Sequence, residues 1–559
     1  MPREHNEVSR AGAQSLSQAE RLLFAATIFL GAFLLFLIEP LFAKLILPWF
    51  GGSAAVWATC LVFFQSALLL GYFYADVTAR HISPKQQSLL HLGLLLASLL
   101  WLPIAPQIFW RTHLNIDPAW RILALLTFSI GLPFVLLSAT GTLIQTWYAR
   151  RASGRSPYRL FALSNIASLL GLLAFPFLIE PRLSSRRQAT LWSAGYLLFV
   201  VCCARSAWLS RAQVADAKAA DALREDAAPP TFSITLLWLG LSACGSMMLL
   251  AVTNHLTENV APVPLLWVIP LALYLLSFSI VFAKHKFYPR WLLARFLAVA
   301  LGAAGYAIYD SSLTHAIQIS VPLFCCSLFV VCLFCHGELV RTKPSLSYLT
   351  SFYLTIALGG ALGAVCVGLL APHILSGVYE LPLVLLLAAI LAAIMHWQDG
   401  WSVRIFWFGA TSAMCAVLVL NVKTARKDTV ASMRNFYAAL RIEESGTTLR
   451  HRALIHGTIQ HGAQFLSWPE NRNPTTYYGR KSGVGIALEY CCDGPKRVGV
   501  VGLGTGTLAA YGKPGDSFRF YEINPQVIKV AQDWFSYLRQ SPAKSEIIPG
   551  DARLSLESE

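Results

Sequence analysis

Two stretches decide how this chain reads: Phe161-Ala162-Leu163-Ser164-Asn165-Ile166-Ala167-Ser168-Leu169-Leu170-Gly171 and Tyr353-Leu354-Thr355-Ile356-Ala357-Leu358-Gly359-Gly360-Ala361-Leu362-Gly363. Each is an apolar run with a face of small residues, and each follows a basic segment: Arg150, Arg151 and Arg155 before the first, Arg341 and Lys343 before the second. Small residues let helices approach closely in lipid, and that accounts for the residues themselves. Their recurrence six spans apart predicts something larger, a parallel repeat of two membrane halves in the same orientation.

The composition around them agrees. The 559 residues are 56% hydrophobic and only 13% charged, against about 25% charged in soluble domains; the mean hydropathy is +0.55. Apolar runs of spanning length begin near Leu22, Ala54, Ser88, Ile122, Tyr158 and Ala189, then near Phe232, Pro262, Trp291, Ile317, Thr350 and Leu381, with one more at 403–420. Thirteen spans result, at about 20 apolar residues each. The expected organisation is a polar tail at 1–20, a first membrane half at 21–208, a hydrophilic linker at 209–231, and a second half plus one extra helix at 232–421. A β-hairpin region at 422–490 and a partial Rossmann-like α/β domain at 491–559 complete it. The run from Leu22 lacks a small-residue cleavage site and reads as a retained span.

The net charge of +15 is explained by basic cytoplasmic connections; no basic stripe interleaved with aromatics points to nucleic acid. The twelve cysteines lie mostly in apolar runs and read as reduced, buried thiols. Cys332-Leu333-Phe334-Cys335-His336 lacks the second ligand pair that a zinc site needs, so no metal is expected. Glu39, Glu180, Glu258, Glu338 and Glu380 stand near span ends. An acid deep in a span is a functional candidate, but the prolines beside Glu39 and Glu180 favour carboxylates at headgroup level. Basic residues follow the second, fourth, sixth, eighth and tenth spans, which makes those connections cytoplasmic. Thirteen crossings then put the C-terminal domain outside, whereas a ligand made in the cytosol argues for a cytoplasmic domain. The expectation is a multi-pass protein of a bacterial inner membrane with its C-terminal domain in the cytoplasm.

After the last span the composition becomes that of a soluble domain. Residues 440–465 alternate apolar and polar positions as hairpins do. Val498-Gly499-Val500-Val501-Gly502-Leu503-Gly504-Thr505-Gly506 then reads as a buried parallel strand and a glycine turn whose backbone N–H groups approach a ligand. Glu522 follows twenty residues after Gly502, at the end of the next strand, where a carboxylate accepts both ribose hydroxyls. Pro525 opens a helix, residues 546–548 form a third strand, and Asp551 stands at the edge where adenine would lie. The Gly-x-Gly-x-Gly spacing differs from the dinucleotide fingerprint and suits an S-adenosyl ligand better than NAD.

From about residue 430 onward the chain resembles the spermidine synthase (polyamine aminopropyltransferase) family, in its membrane-fused, multi-span bacterial form. The residues that carry the resemblance are Arg434-Asn435-Phe436-Tyr437, the segment from Leu454 to Gly462, Pro474 to Gly479, Gly502 to Gly506, Glu522, and Gly550-Asp551-Ala552-Arg553, with Ile38-Glu39-Pro40 and Leu47-Pro48-Trp49-Phe50-Gly51-Gly52 in the first spans. The resemblance implies aminopropyl transfer from decarboxylated S-adenosylmethionine, or a related S-adenosylmethionine reaction, with no permanently bound cofactor. It implies nucleoside and polyamine ligands, a bilayer and a homodimer as partners. Gly502, Gly504, Gly506, Glu522 and Asp551 would hold the co-substrate, and Gln460 and Tyr477 the acceptor. The chain departs from the family at Thr505, at His456-Gly457 and at Tyr477-Tyr478-Gly479, and no catalytic residue is assignable. It ends eight residues after Asp551, so a fragment or a degenerate domain is expected, and whether it is an enzyme stays open. Two other readings are a methyltransferase-like enzyme and a transporter-like or sensor membrane protein carrying a nucleoside-binding module.

Overall fold

The computed structural model describes residues 17–111, 116–151, 158–210, 229–259, 266–283, 289–310, 316–344 and 348–559. Most of the expected linker and tail lies outside them.

Thirteen helices form the N-terminal part among the described residues. The first six are α1 (Gln18–Ile46), α2 (Ala54–His81), α3 (Pro84–Ser98), α4 (Pro118–Tyr148), α5 (Tyr158–Ala174) and α6 (Ser185–Ser210). The next six are α7 (Phe232–Asn259), α8 (Val268–Ala283), α9 (Arg290–Tyr309), α10 (Ile317–Arg341), α11 (Leu349–Val365) and α12 (Glu380–Met395), and α13 (Trp401–Arg426) follows. Nine of the described helical stretches are long and apolar enough to cross a bilayer, and three more are shorter and apolar. The chain is therefore a multi-span helical membrane protein. Local chemistry starts several helices. Ser17 and Glu20 exchange side chain-to-backbone hydrogen bonds in a capping box ahead of α1, as do Ser83 and Gln86 ahead of α3, satisfying N–H groups that the first turn leaves unpaired.

The packing follows one scheme twice. α1 packs on α4, α5 and α6, and α7 packs on α10, α11 and α12; α2 meets α4 as α8 meets α10. Across the middle, α2 packs on α11 and α5 packs on α8. Both fifth helices make their contact through a glycine. A Cβ at Gly171 would lie 2.4 Å from the Phe33 carbonyl oxygen of α1, and one at Gly363 would lie 2.6 Å from the Ala243 carbonyl oxygen of α7. Shortly after these glycines each helix passes into a π turn, Phe175–Ile179 in one and Cys366–Leu370 in the other. Gln65 of α2 accepts a hydrogen bond from the Ser246 hydroxyl of α7 at 3.0 Å, joining the first six helices to the second six. α13 lies outside, against α9 and α12, with only Trp407 and Met414 buried.

Several of the acidic residues near span ends are paired or buried within the protein. Glu338 is fully buried between Arg290 (3.0 Å) and Arg341 (2.8 Å), and Arg290 also reaches Asp399 at 2.9 Å. Glu180 pairs with Lys44, and Glu380 is 3% exposed. Arg341 stands three residues from Glu338 on the same helix, but Arg290, Lys44 and Arg434, the partner of Glu380, come from distant parts of the chain that no local pattern announced. His336 bonds the Ser277 hydroxyl through Nδ1 at 3.0 Å instead of joining its neighbouring cysteines.

The C-terminal region has two small sheets. β1 (Thr429–Arg434), β2 (Ala439–Ser445), β3 (His451–His456) and β4 (Ile459–Phe465) form an antiparallel meander. β5 (Arg497–Val501), β6 (Ser517–Glu522) and β7 (Lys544–Pro549) form a parallel sheet in that order. Helices α14 (Gly483–Tyr490), α15 (Pro525–Asp533), α16 (Tyr537–Gln540) and α17 (Ala552–Ser558) accompany it. Leu440, Ile442 and Leu454 of the meander share one core with Phe518, Phe520, Val530 and Phe535. β5, expected to be buried, is instead an edge strand with Val501 74% exposed, because only β6 pairs with it among the described residues.

The close glycine crossing yields a direct expectation. Gly363→Ala forces α11 away from α7 and should lower stability by about 1–3 kcal/mol, the usual cost of overpacking. Gly302→Ala in α9, where a Cβ meets nothing within 4 Å, should be neutral. Thermal unfolding of both variants in detergent checks this; equal midpoints would show that the crossing tolerates a methyl group.

Candidate functional site

The carboxyl ends of β5, β6 and β7 come together, the place where parallel sheets receive ligands. Gly502, Gly504 and Gly506 have φ of +90°, +55° and +77°, a region that costs non-glycine residues energy. At Gly502 the requirement is conformational alone, since a Cβ there would meet nothing within 4 Å.

Glu522 closes this turn. Its Oε2 accepts the Leu503 N–H at 2.9 Å, and its Oε1 accepts the Asn524 N–H at 2.8 Å. The carboxylate thus staples the glycine turn to the end of β6, and each oxygen retains acceptor capacity for a hydroxyl. Asp551 stands one strand over, after Gly550, whose N–H bonds the Glu522 carbonyl at 2.8 Å. Its Oδ1 caps α17, accepting from Arg553 N–H (3.0 Å) and Leu554 N–H (3.2 Å). The structure therefore brings Gly502, Gly504, Gly506, Glu522 and Asp551 to one face.

Gln460 and Tyr477 do not join them as buried groups. Gln460 is exposed on β4, and Tyr477 is 55% exposed on the turn Thr476–Tyr478. Thr505 points away from the strand ends: it is 1% exposed, shares a 2.7 Å hydrogen bond with Thr507, and lies where a Cβ on Gly462 would meet its Oγ1 at 2.3 Å. Two histidines approach instead. His456 and His461 stack at 5.7 Å between centroids, and the Gly504 turn packs on the His461 carbonyl. His461 Nε2 is buried with no hydrogen-bond partner among the described residues. Burial lowers the His461 pKa while the nearby Glu522 carboxylate works against it. Only the meander's fold, which sets β4 over the glycine turn, reveals these rings as part of the site.

The site faces the membrane helices. Ile523, next to Glu522, packs on the connection between α1 and α2: a Cβ on Gly51 (φ +79°) would be 2.5 Å from its Cδ1. The Asn435 side-chain amide donates to Asn524 Oδ1 at 2.7 Å. One residue earlier, Arg434 pairs with Glu380 at the start of α12, with side chains 6% and 3% exposed. Arg434 also donates to the Gly377 carbonyl at 2.9 Å, and Ser432 to the Ser376 carbonyl at 2.8 Å. The Gly457 turn rests on Glu258 and Asn259 at the end of α7. Burial pushes the Tyr437 hydroxyl upward, Arg121 of α4 opposes that, and Asp117 and Asp551 add to it.

No protein-family model matches the chain, and no curated protein matches it. Solved structures do. The human organic anion transporter MFSD10 is 14% identical, with a TM-score of 0.42 over 72% of this chain and 100% of that one. The inward-open xylose transporter XylE from E. coli is 12% identical, with a TM-score of 0.44 over 67% and 95%. The nucleoside transporter NupG is 12% identical, with a TM-score of 0.40 over 72% and 99%. These likenesses are distant, and the helix pairing described above stands on the chain's own contacts. They correct the kinship expected from the sequence. The proteins matched are membrane transporters and not spermidine synthases, so membership of that family, aminopropyl transfer, a role in polyamine biosynthesis and the transferase class are withdrawn.

His456 gives the site a pH signature. Burial, reinforced by His461, pushes its pKa from 6.5 down to about 4. The unfolded chain therefore takes up the proton first, and stability present above pH 6.5 is lost as the pH falls towards about 4. Scanning calorimetry of the full chain should show a C-terminal transition that falls over this window, and His456→Gln should flatten the slope; an unchanged slope would assign it to another group.

Proposed function

We propose that this chain is a membrane carrier of small molecules whose C-terminal domain binds an adenosine-type ligand. The observation that supports it is the doubled packing scheme, with α1–α5 matched by α7–α11 and the crossing pairs α2–α11 and α5–α8. Two like-oriented halves that meet along symmetric seams can rock about a central site, as carrier halves built from parallel repeats do. The glycines at positions 171 and 363 and the π turns after them mark the same element in each half.

Glu39 is the membrane residue we assign to the carrier's chemistry. It is 6% exposed, lies seven residues before the end of α1, roughly 10 Å at the helical rise, and has no ion pair among the described residues. A buried carboxyl group in a span is expensive and points to substrate, cation or proton handling. In the C-terminal domain, Gly502, Gly504 and Gly506 would approach the ligand, Glu522 its ribose and Asp551 its base, with Gln460 and Tyr477 on the solvent side. An S-adenosyl compound and a simpler adenosine both fit these roles.

For orientation, the odd-numbered crossings end on the face that carries the C-terminal domain. In the sequence, the connections that follow even-numbered helices hold Arg80, Lys85, Arg150, Arg151, Arg155, Arg211, Lys218, Arg224, Lys284, Lys286, Arg341 and Lys343. Those that follow odd-numbered helices hold fewer: Lys44, Arg111, Arg121, Arg182, Arg186, Arg187, Lys423, Arg426 and Lys427. The charge bias supports placing the basic connections in the cytoplasm and the C-terminal domain on the outer face, against the placement expected from a cytosolic ligand.

Uptake by proteoliposomes of a panel of labelled sugars, nucleosides and organic anions tests the carrier. One member should accumulate, and Glu39→Gln should reduce its rate at least tenfold, about 1.4 kcal/mol in the barrier; no accumulation of any member of the panel would count against the carrier. Orientation is read from Cys491 and Cys492, both exposed. An impermeant maleimide should label them in intact cells and miss the Cys491→Ser/Cys492→Ser variant; labelling only after lysis would put the domain inside.

A further inference from the structure

We propose that the C-terminal domain is a latch that holds the membrane halves closed on its own face, and that a nucleoside in the strand-end site releases it. This inference rests on the carrier reading above and names how the same site would regulate it.

The domain touches both halves on one face. In the first half it meets Gly51 through Ile523. In the second it meets Ser376, Gly377 and Glu380 through Ser432 and Arg434, and Glu258 and Asn259 through the Gly457 turn. A rigid body fastened to both halves prevents them from separating there. The anchor is strong for its size: Arg434 and Glu380 are almost completely buried, and the pair has no water to fall back on when one partner is removed.

The anchor and the ligand site belong to one hydrogen-bonded chain. Glu522 Oε1 accepts from Asn524 N–H, Asn524 Oδ1 accepts from Asn435, and the Arg434 carbonyl accepts from the Gln526 amide at 3.2 Å. A nucleoside on Glu522 needs the space beyond the strand ends, and there Ile523 is already packed on Gly51 without room for one more methyl group. Ligand and membrane connection therefore compete for the same strand ends. A ligand that binds only the undocked domain shifts the equilibrium towards it, and the shift is reciprocal: whatever loosens the docking raises ligand affinity.

Amide exchange of the full chain in detergent reads the latch without relying on transport, and calorimetry with adenosine reads the site separately. Saturating adenosine should speed exchange severalfold in residues 47–53 and 375–379. Arg434→Ala should do the same without ligand and should tighten adenosine binding. Ile523→Ala, which removes the contact with Gly51 and leaves the ion pair in place, should act like Arg434→Ala, so that one variant's failure to fold leaves the test standing. Adenosine that binds, with affinity lost in Glu522→Ala, but leaves both segments unchanged would overturn the latch and keep the site. If adenosine does not bind, the nucleoside site and its release role fall; faster exchange in the two variants would then support the mechanical latch alone. Unchanged exchange in both variants would overturn that as well.

Discussion

A helix in lipid gains nothing from hiding apolar side chains from another helix, because the surrounding chains are equally apolar. What holds this bundle together is close backbone approach, and Gly171 and Gly363 supply it. Each lets the fifth helix of its half rest against a main-chain carbonyl of the first, Phe33 in one case and Ala243 in the other. Gly359 does the same one turn earlier, where a Cβ would lie 2.6 Å from the Leu239 carbonyl oxygen. Once these contacts are made, α5 and α11 are positioned to cross to α8 and α2, and the seams between the halves follow.

Near the ends of the bundle, acids and bases from distant parts of the chain pair with one another. On one face Glu338 is fixed by Arg290 and Arg341, with Asp399 extending the network. On the other, Lys44 meets Glu180 and Arg434 meets Glu380. Removing the partners of Glu338, or either member of the Arg434–Glu380 pair, leaves a buried charge without compensation, which is costly. The C-terminal domain contributes Arg434 to this arrangement, which makes it part of the membrane assembly and not an appendage.

The small-residue runs were legible as repeat elements because their spacing and their flanking basic segments recur in the chain. The glycine turn, Glu522 and the three parallel strands were also legible, since each depends on residues close in sequence. Family kinship inferred from those same residues was misleading. A glycine turn followed by an acid describes how a strand end meets a ligand, and that geometry serves unrelated chemistries. The same residues here fold into a three-stranded sheet with an exposed first strand, and Thr505 is turned beneath Gly462.

By itself the sequence determined a multi-span helical membrane part and the conformation of the strand-end turn, because hydrophobic period and local backbone preference are short-range properties; of the thirteen expected spans, twelve are apolar helical stretches among the described residues, and the third is the short α3. Only the tertiary structure decided that Glu338 and Glu380 are buried against distant arginines, that His461 lies over the glycine turn, and that the strand ends of the C-terminal domain look onto the membrane helices. Those outcomes join residues far apart in the chain, Arg434 with Glu380 and Ile523 with Gly51, and no local pattern encodes a contact whose partner is set by how thirteen helices and two sheets pack.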